Sequence, residues 1–227
     1  IGGYHGAKLK RYQELIEFCI QPEMERMVDS LRKVGMNYNF KSTPVLNMLN
    51  TKYITYSAEN PPLENRNACG AAWFVGKVNQ VKSANDEILA LQTMDTRNEA
   101  VVNESFSKAF NTSGKDSLDS VHLLEYSPNK LTYESKSKNA GAIVFSEIYY
   151  PKGWICTVDG QPVETAQVNF VLRGIQVPAG KHEIVWSFEP EVWKTSTKLS
   201  GLGSGLMLLM ILGGLFIERK KRMNVAE

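Results

Sequence analysis

The chain has 227 residues, of which 43% are hydrophobic and 22% charged, and its formal net charge is +2. This composition is ordinary for a globular protein with a core of its own. Basic and acidic residues are interspersed along most of the chain, which argues against a nucleic-acid-binding surface, and we expect no nucleic-acid partner.

The first third of the chain has helical periodicity, with apolar residues at helical spacing from Leu9 to Cys19. Pro22 is suited to the first turn of a second helix, and Gly35 to its end. A short helical piece follows from Pro44 to Leu49. The first third is therefore predicted to be helical.

The middle of the chain mixes helix and strand signals. Strand character begins at residues 52–56, and a longer apolar run starting at 71–75 continues toward Val81. Residues 84–92 are predicted to form a short helix, and the polar stretch 103–117 is predicted to be a loop. Residues 1–117 are thus expected to form a helical and mixed α/β part.

From residue 118 the pattern changes to short strands at a spacing of about ten residues. These strands are predicted at 121–126, 130–135, 142–149, 154–158, 170–177 and 182–188. Asp159-Gly160 is typical of a tight hairpin turn, because glycine tolerates a positive φ. The predicted fold class is α+β, with an antiparallel β-sandwich over residues 118–197 after the helical part.

An uncharged apolar segment runs from Leu199 to Ile217. As a helix it would be about 28 Å long, which matches the hydrocarbon layer of a bilayer, so residues 198–218 are predicted to form a transmembrane helix. Arg219 to Arg222 are all cations and begin a basic tail, 219–227. The positive-inside rule then predicts a cytoplasmic C-terminus and an extracytoplasmic part, residues 1–197, at the inner membrane.

The chain begins at Ile1 without a signal peptide, although most of it is expected outside the membrane. We therefore expect further residues upstream. The cysteines Cys19, Cys69 and Cys156 are far apart, and this spacing favours three isolated buried thiols, with one disulfide as the alternative. The three histidines are too dispersed for local metal-ligand spacing, and we predict no metal site and no cofactor.

Several motifs resemble the C-terminal region of the YfhO family of bacterial membrane proteins, most closely its members from Bacteroidetes. They are Ile1–Tyr12 (IGGYHGAKLKRY), Pro44–Tyr53 (PVLNMLNTKY), Ile148–Trp154 (IYYPKGW), Asn169–Arg173 (NFVLR) and Val177–His182 (VPAGKH). The resemblance runs from Ile1 through the terminal helix. It implies a polytopic protein with additional membrane helices, similar to multi-spanning glycosyltransferases that use lipid-linked sugars.

In such enzymes the catalytic carboxylate typically lies in an early outer loop, and this chain contains no equivalent loop. The resemblance therefore implies a non-catalytic extracytoplasmic domain and last membrane helix. Its expected partners are the lipid bilayer, the remaining membrane helices, and a lipid-linked sugar or envelope glycan. The alternative is a membrane-tethered β-sandwich that binds a ligand or plays a structural role without transferase activity.

Candidate ligand contacts are few. Trp154 and Arg173 in the β-rich part would suit a sugar ring or a phosphate, but Trp154 also fits a core position and Arg173 an internal pairing. Tyr4 and His5 lie in a glycine-rich segment that would suit a substrate cavity, or simply a turn into the first helix. The carboxylate pairs Asp86-Glu87 and Asp116-Asp119 are expected to be solvated. We predict no catalytic residue.

Overall fold

The computed structural model describes residues 9–35, 38–56, 58–110 and 114–224. Helical segments come first in the chain, which confirms the predicted helical N-terminal part. They are α1 (Lys10–Leu15), a π-helical turn (Ile16–Ile20), α2 (Gln21–Val34), a 3-10 turn (Phe40–Ser42) and α3 (Pro44–Met48). Leu15, Met27 and Leu46 are buried and help to pack these helices on the sheet that follows.

The remaining chain consists mainly of strands. They are β1 (Tyr53–Ile54), β2 (Leu63–Glu64), β3 (Ala72–Val75), β4 (Lys77–Val81), β5 (Glu99–Asn103), β6 (Ser120–Ser127), β7 (Lys130–Ser137), β8 (Gly141–Ile148), β9 (Trp154–Val158), β10 (Gln161–Pro162), β11 (Thr165–Val168), β12 (Leu172–Val177) and β13 (Gly180–Phe188). Helix α4 (Ala84–Leu91) connects β4 to β5, a 3-10 helix (Glu104–Ala109) follows β5, and α5 (Glu191–Asn224) follows β13. That 3-10 helix lies where the sequence predicted only a loop.

Two larger sheets stack as a sandwich, as the sequence predicted. One has the strand order β10-β9-β13-β7-β6, and the other β3-β8-β12-β11-β5-β4. All pairs are antiparallel except β4–β5, which is parallel and is joined by the crossover helix α4. Strands β3 and β4 lie at opposite edges of the second sheet, although only Gly76 separates them, so this six-stranded sheet curls back on itself.

Each face of the six-stranded sheet is buried in a different core. Strand β12 shows the alternation: Leu172 packs in the core shared with the helices, whereas Ile175 and Val177 pack in the core between the two sheets. Arg173, at the start of this strand, lies on the same face as Ile175. All three cysteines are free and buried, as the sequence favoured.

The strand register defines two ends of the sandwich. The last residue of β13, Phe188, pairs with Trp154 and donates its backbone N–H to the carbonyl of Asn129, 2.9 Å away. The turn 128–129 and the loop 149–153 therefore lie where the chain passes into α5, and this end is called the membrane-proximal end below. The turns 138–140, 159–160 and 178–179 lie at the opposite, distal end.

Within α5, residues Leu199–Ile217 form a 19-residue stretch with a mean hydropathy of 1.9, and no part of it is buried against the rest of the protein. A buried core helix would instead be covered by other elements. The length and composition of this stretch are sufficient to cross a bilayer.

Candidate functional site

Arg173 and Trp154, two of the four candidate ligand contacts, are in direct contact. The guanidinium carbon of Arg173 lies 4.2 Å from the ring centroid of Trp154 and 5.0 Å from that of Trp186. Its Nε donates a hydrogen bond to the carbonyl of Ile148 at 3.0 Å. Arg173 is only 4% exposed and Trp154 is half-buried. The cation is thus stacked between indoles of the facing sheet. Tyr4 and His5 lie outside the described residues.

Burial dominates the electrostatics of this cluster. It lowers the pKa of Arg173, and the nearby carboxylate of Glu147 opposes that effect. Burial also raises the pKa of Glu147, and the charge of Arg173 opposes this increase. The pKa of Cys156 is raised by burial to about 12. Nη1 of Arg173 and Nε1 of Trp186 are buried without a hydrogen-bond partner in the part of the chain that the structure describes. Two donors therefore face the interior of the sandwich.

A polar groove of about 410 Å³ lies beside the N-terminal end of α3 and the segment that follows α4. We call it the α3–α4 groove. It is lined by Lys41, Pro44, Asn47, Asn67, Thr93, Asp95, Thr96 and Arg97. Its volume is within the range typical of small-molecule sites. No motif marked it in the sequence, because its lining comes from separate parts of the chain.

Backbone hydrogen bonds hold the polar groups of the α3–α4 groove in place. Nη2 of Arg97 donates to the carbonyls of Asn67 and Ala68 at 2.8 and 3.0 Å. Oδ1 of Asp95 accepts the backbone N–H of Arg97 at 3.1 Å. The hydroxyl of Thr96 donates to the carbonyl of Pro44 at 2.7 Å. The groove is therefore preorganised.

Positive charge surrounds one wall of the groove. Nζ of Lys115 donates to the backbone carbonyl of Arg97 at 3.3 Å, and burial together with Arg97 lowers the pKa of this lysine. Lys41 and Arg97 line the groove itself, with Asp95 as the acidic lining residue. Amide, hydroxyl, carboxylate and cationic groups at one place suit a hydroxyl-rich or anionic ligand.

A neighbouring pocket of about 350 Å³ shares Thr93 with the groove and is also lined by Cys19 and Glu23. Glu23 is 2% exposed, and its carboxylate accepts the backbone N–H groups of Val45 and Leu46 at 2.9 and 3.0 Å. Burial raises the pKa of Glu23 to about 7, although both hydrogen bonds lower it. This carboxylate caps α3 from within the core.

The carboxylate pairs considered in the sequence have structural partners. Glu87 is fully buried rather than solvated as expected, and it forms an ion pair with Nη1 of Arg11 at 2.7 Å. Asp86 completes a capping box with Ser83 at the start of α4. Asp119 accepts the backbone N–H groups of Asp116 and Lys138. Among the described residues, no group of three or more His, Cys, Asp or Glu side chains is arranged to hold a metal ion.

A known protein family matches this chain. The family model described as "Bacterial membrane protein YfhO" matches residues 84–200, just over half of the chain. No curated protein and no solved structure matches the chain. The matched range contains β5 to β13 and the start of α5, whose apolar stretch suits a membrane protein. The chain therefore belongs to the YfhO family of bacterial membrane proteins.

Proposed function

We propose that the chain supplies an extracytoplasmic domain and a membrane helix to a protein that transfers a sugar from a lipid carrier to a cell-envelope acceptor. In this proposal the α3–α4 groove binds the acceptor glycan, and the reacting groups lie elsewhere in the protein. The observation that carries the proposal is the preorganised polar lining of this groove on a domain tethered by an apolar helix.

The chemistry of the groove fits a glycan. Sugar hydroxyls both donate and accept hydrogen bonds, and Asp95 and Arg97 present both kinds of partner within one site of about 410 Å³. Because the Arg97 guanidinium and the Thr96 hydroxyl are already fixed by backbone carbonyls, little side-chain entropy is lost when a ligand binds. Lys41 and Arg97 favour an acceptor that carries carboxylate or phosphate groups.

The position of the groove favours an acceptor over a sugar still held at the bilayer. Asn98, next to Arg97, accepts the backbone N–H of Gly76 at 2.8 Å. Gly76 follows Val75, which pairs with Ala142 near the distal turn 138–140. The Arg97 wall therefore lies toward the distal turn 138–140.

Saturation-transfer NMR on the whole chain in nanodiscs tests the binding step, with glucose, N-acetylglucosamine, galactose and glucuronic acid as probes. We expect saturation of at least one sugar, strongest for the anionic one. The double variant Lys41→Ala/Thr93→Ala should abolish it, whereas Lys138→Ala at the distal turn should not. The absence of saturation for every sugar, or equal saturation in the double variant, would contradict the groove assignment.

A second candidate is a tethered binding or structural module without a role in transfer. It is favoured by the structural roles of Asp86, Glu87 and Asp119, which complete a helix cap, pair with Arg11 and accept backbone N–H groups. Deleting residues 9–190 from the chromosomal gene distinguishes the two. Loss of an envelope glycan supports the transfer role, and an unchanged glycan profile supports the tethered module.

A further inference from the structure

The distance between the sandwich and the membrane span is short. Helix α5 begins at Glu191, and its apolar stretch begins at Leu199, eight residues later. Eight helical residues rise by about 12 Å. The polar headgroup layer on one side of a bilayer is about 5–8 Å thick. The membrane-proximal end therefore lies roughly one long side chain above the headgroups, and any tilt of α5 brings it closer.

The surface at this end has the residue types of a membrane interface. Tyr150, in the loop 149–153, is 43% exposed, and Tyr126, near the end of β6, is 68% exposed. Lys152 and Lys130 are exposed beside them, and Lys130 forms an ion pair with Glu125 at 3.3 Å. Tyrosine and lysine are enriched at headgroup level, because each combines an apolar body with a polar tip. In contrast, the distal turns 138–140, 159–160 and 178–179 contain no aromatic residue.

The loop 149–153 is held firmly on the sandwich. Gly153 has a φ of 111°, and a Cβ at this position would lie 2.8 Å from Cε2 of Phe188 and 3.1 Å from Cβ of Pro190. Its carbonyl accepts the backbone N–H of Glu189 at 2.6 Å, and at the other end of the loop Tyr149 donates to the carbonyl of Val171 at 2.7 Å. The loop therefore has a defined position next to the start of α5.

A shallow, mainly apolar pocket of about 410 Å³ continues this surface onto the helix. It is lined by Asn129, Phe188, Pro190, Val192 and Ser196. It spans the junction between the sandwich and the first turns of α5, so it faces the level of the lipid headgroups. An apolar recess at that depth suits the upper part of a phospholipid, while Lys152, exposed at the same end, suits its phosphate.

We propose that the membrane-proximal end of the sandwich docks on the outer surface of the bilayer. Tyr150 and Lys152 enter the headgroup layer, and the pocket at the root of α5 receives phospholipid. This contact fixes the domain relative to the membrane and keeps its distal end directed into the envelope. It does not depend on glycan binding in the α3–α4 groove.

Spin labels in nanodiscs test this contact directly. The native cysteines are buried, so a nitroxide can be attached selectively to Lys152→Cys or, as a control at the distal end, to Asn139→Cys. We expect the label at 152 to have several-fold higher accessibility to oxygen relative to a water-soluble nickel chelate than the label at 139.

A ratio at 152 equal to that at 139 would overturn docking. The variant Tyr150→Ser with the label at 152 provides a second measurement, because the serine leaves the loop backbone unchanged and removes the aromatic anchor. Its ratio should fall toward the value at 139. Saccharide binding measured on the same nanodiscs remains independent, so failure of docking and failure of the groove assignment are distinguishable.

Discussion

Arg173 stacks 4.2 Å from the ring centroid of Trp154, and this contact joins the beginnings of two strands that belong to different sheets. Its guanidinium also lies 5.0 Å from the ring centroid of Trp186. A buried cation is costly unless its charge is compensated. Here the compensation comes from two indole faces, one backbone carbonyl and the more distant Glu147. Planar stacking and a fixed hydrogen-bond donor are properties of arginine that lysine lacks.

The variant Arg173→Lys should therefore lower the free energy of unfolding by about 1–3 kcal/mol, since it loses the stack and the hydrogen bond to Ile148 while keeping a buried charge. Denaturant unfolding of the whole chain in detergent, followed by tryptophan fluorescence, measures this change. Arg66→Lys is the matched control, because the Arg66 side chain is 85% exposed. Equal stability of the two variants would show that the stack contributes little.

The Glu23 carboxylate predicts a pH dependence of stability. Its pKa is raised to about 7 by burial, from an ordinary value of 4.5. Between these values the folded state binds more protons than the unfolded state, so this residue makes stability fall as pH rises from about 4.5 through 7. The full effect is about 3 kcal/mol at most. Glu23→Gln should remove this contribution to the pH dependence of stability. Glu25→Gln should leave the pH dependence unchanged, because Glu25 is exposed on the same helix.

Melting temperatures of wild type and both variants between pH 5 and pH 8 provide the measurement. We expect the Glu23→Gln variant to gain stability relative to wild type as pH rises. Parallel curves for wild type and Glu23→Gln would mean that the two backbone hydrogen bonds keep Glu23 ionised throughout this range.

Local patterns in the sequence were sufficient for much of the fold. The uncharged run Leu199–Ile217 coincides with the apolar stretch of α5, because length and hydropathy alone define a span. Asp159 and Gly160 have φ values of 49° and 78°, as the predicted hairpin turn requires. By contrast, the apolar run continuing to Val81 divides at Gly76 into strands at opposite sheet edges, and this depends on pairing with distant strands.

The sequence predicts less of the candidate site than of the fold. Arg173 and Trp154 were both singled out, but their mutual contact depends on how β12 and β9 face each other across the sandwich. The α3–α4 groove combines residues from Lys41 to Arg97 that share no motif. Glu87 was expected in solvent, because its partner Arg11 lies 76 positions away in the sequence. Long-range packing determines these features, and one sequence contains no direct signal of it.

His182 and Asp159 form a titratable pair at the distal end, with Nδ1 of His182 2.6 Å from Oδ2 of Asp159. The hydrogen bond that His182 donates to the Asp159 carboxylate raises the pKa of His182 above its ordinary value of 6.5. Its stabilising effect is therefore complete below pH 6.5 and is lost as pH rises through the folded-state pKa. NMR titration should show a lower pKa for His182 in Asp159→Asn, a change that the positive φ at this position tolerates. An identical titration in both proteins would show that the pair is not formed.

Gly174 lies at a position of the six-stranded sheet where there is little room for a side chain. A Cβ at this position would lie 2.9 Å from Cγ1 of Val168 and 3.0 Å from Cζ of Phe110. Gly174→Ala should therefore lower the free energy of unfolding by about 1–3 kcal/mol through overpacking. In Gly201→Ala, the added methyl group meets nothing within 4 Å, and stability should be retained. Thermal melts of both variants in detergent test the difference, and equal losses would exclude overpacking as the cause.

The basic segment after the membrane span predicts which side of the membrane each end occupies. Residues 219–222 are all cations. Positive charge beside a membrane span is retained in the cytoplasm, so the sandwich at the other end of α5 is predicted to lie outside. A membrane-impermeant maleimide added to spheroplasts should label Asn139→Cys at once, and Asn224→Cys only after the membrane is permeabilised. Because the native cysteines are buried, wild type should give no background. If Asn224→Cys were labelled in intact spheroplasts and Asn139→Cys were protected, the predicted orientation would be wrong. The proposed glycan binding, which depends on an extracytoplasmic position, would then be excluded.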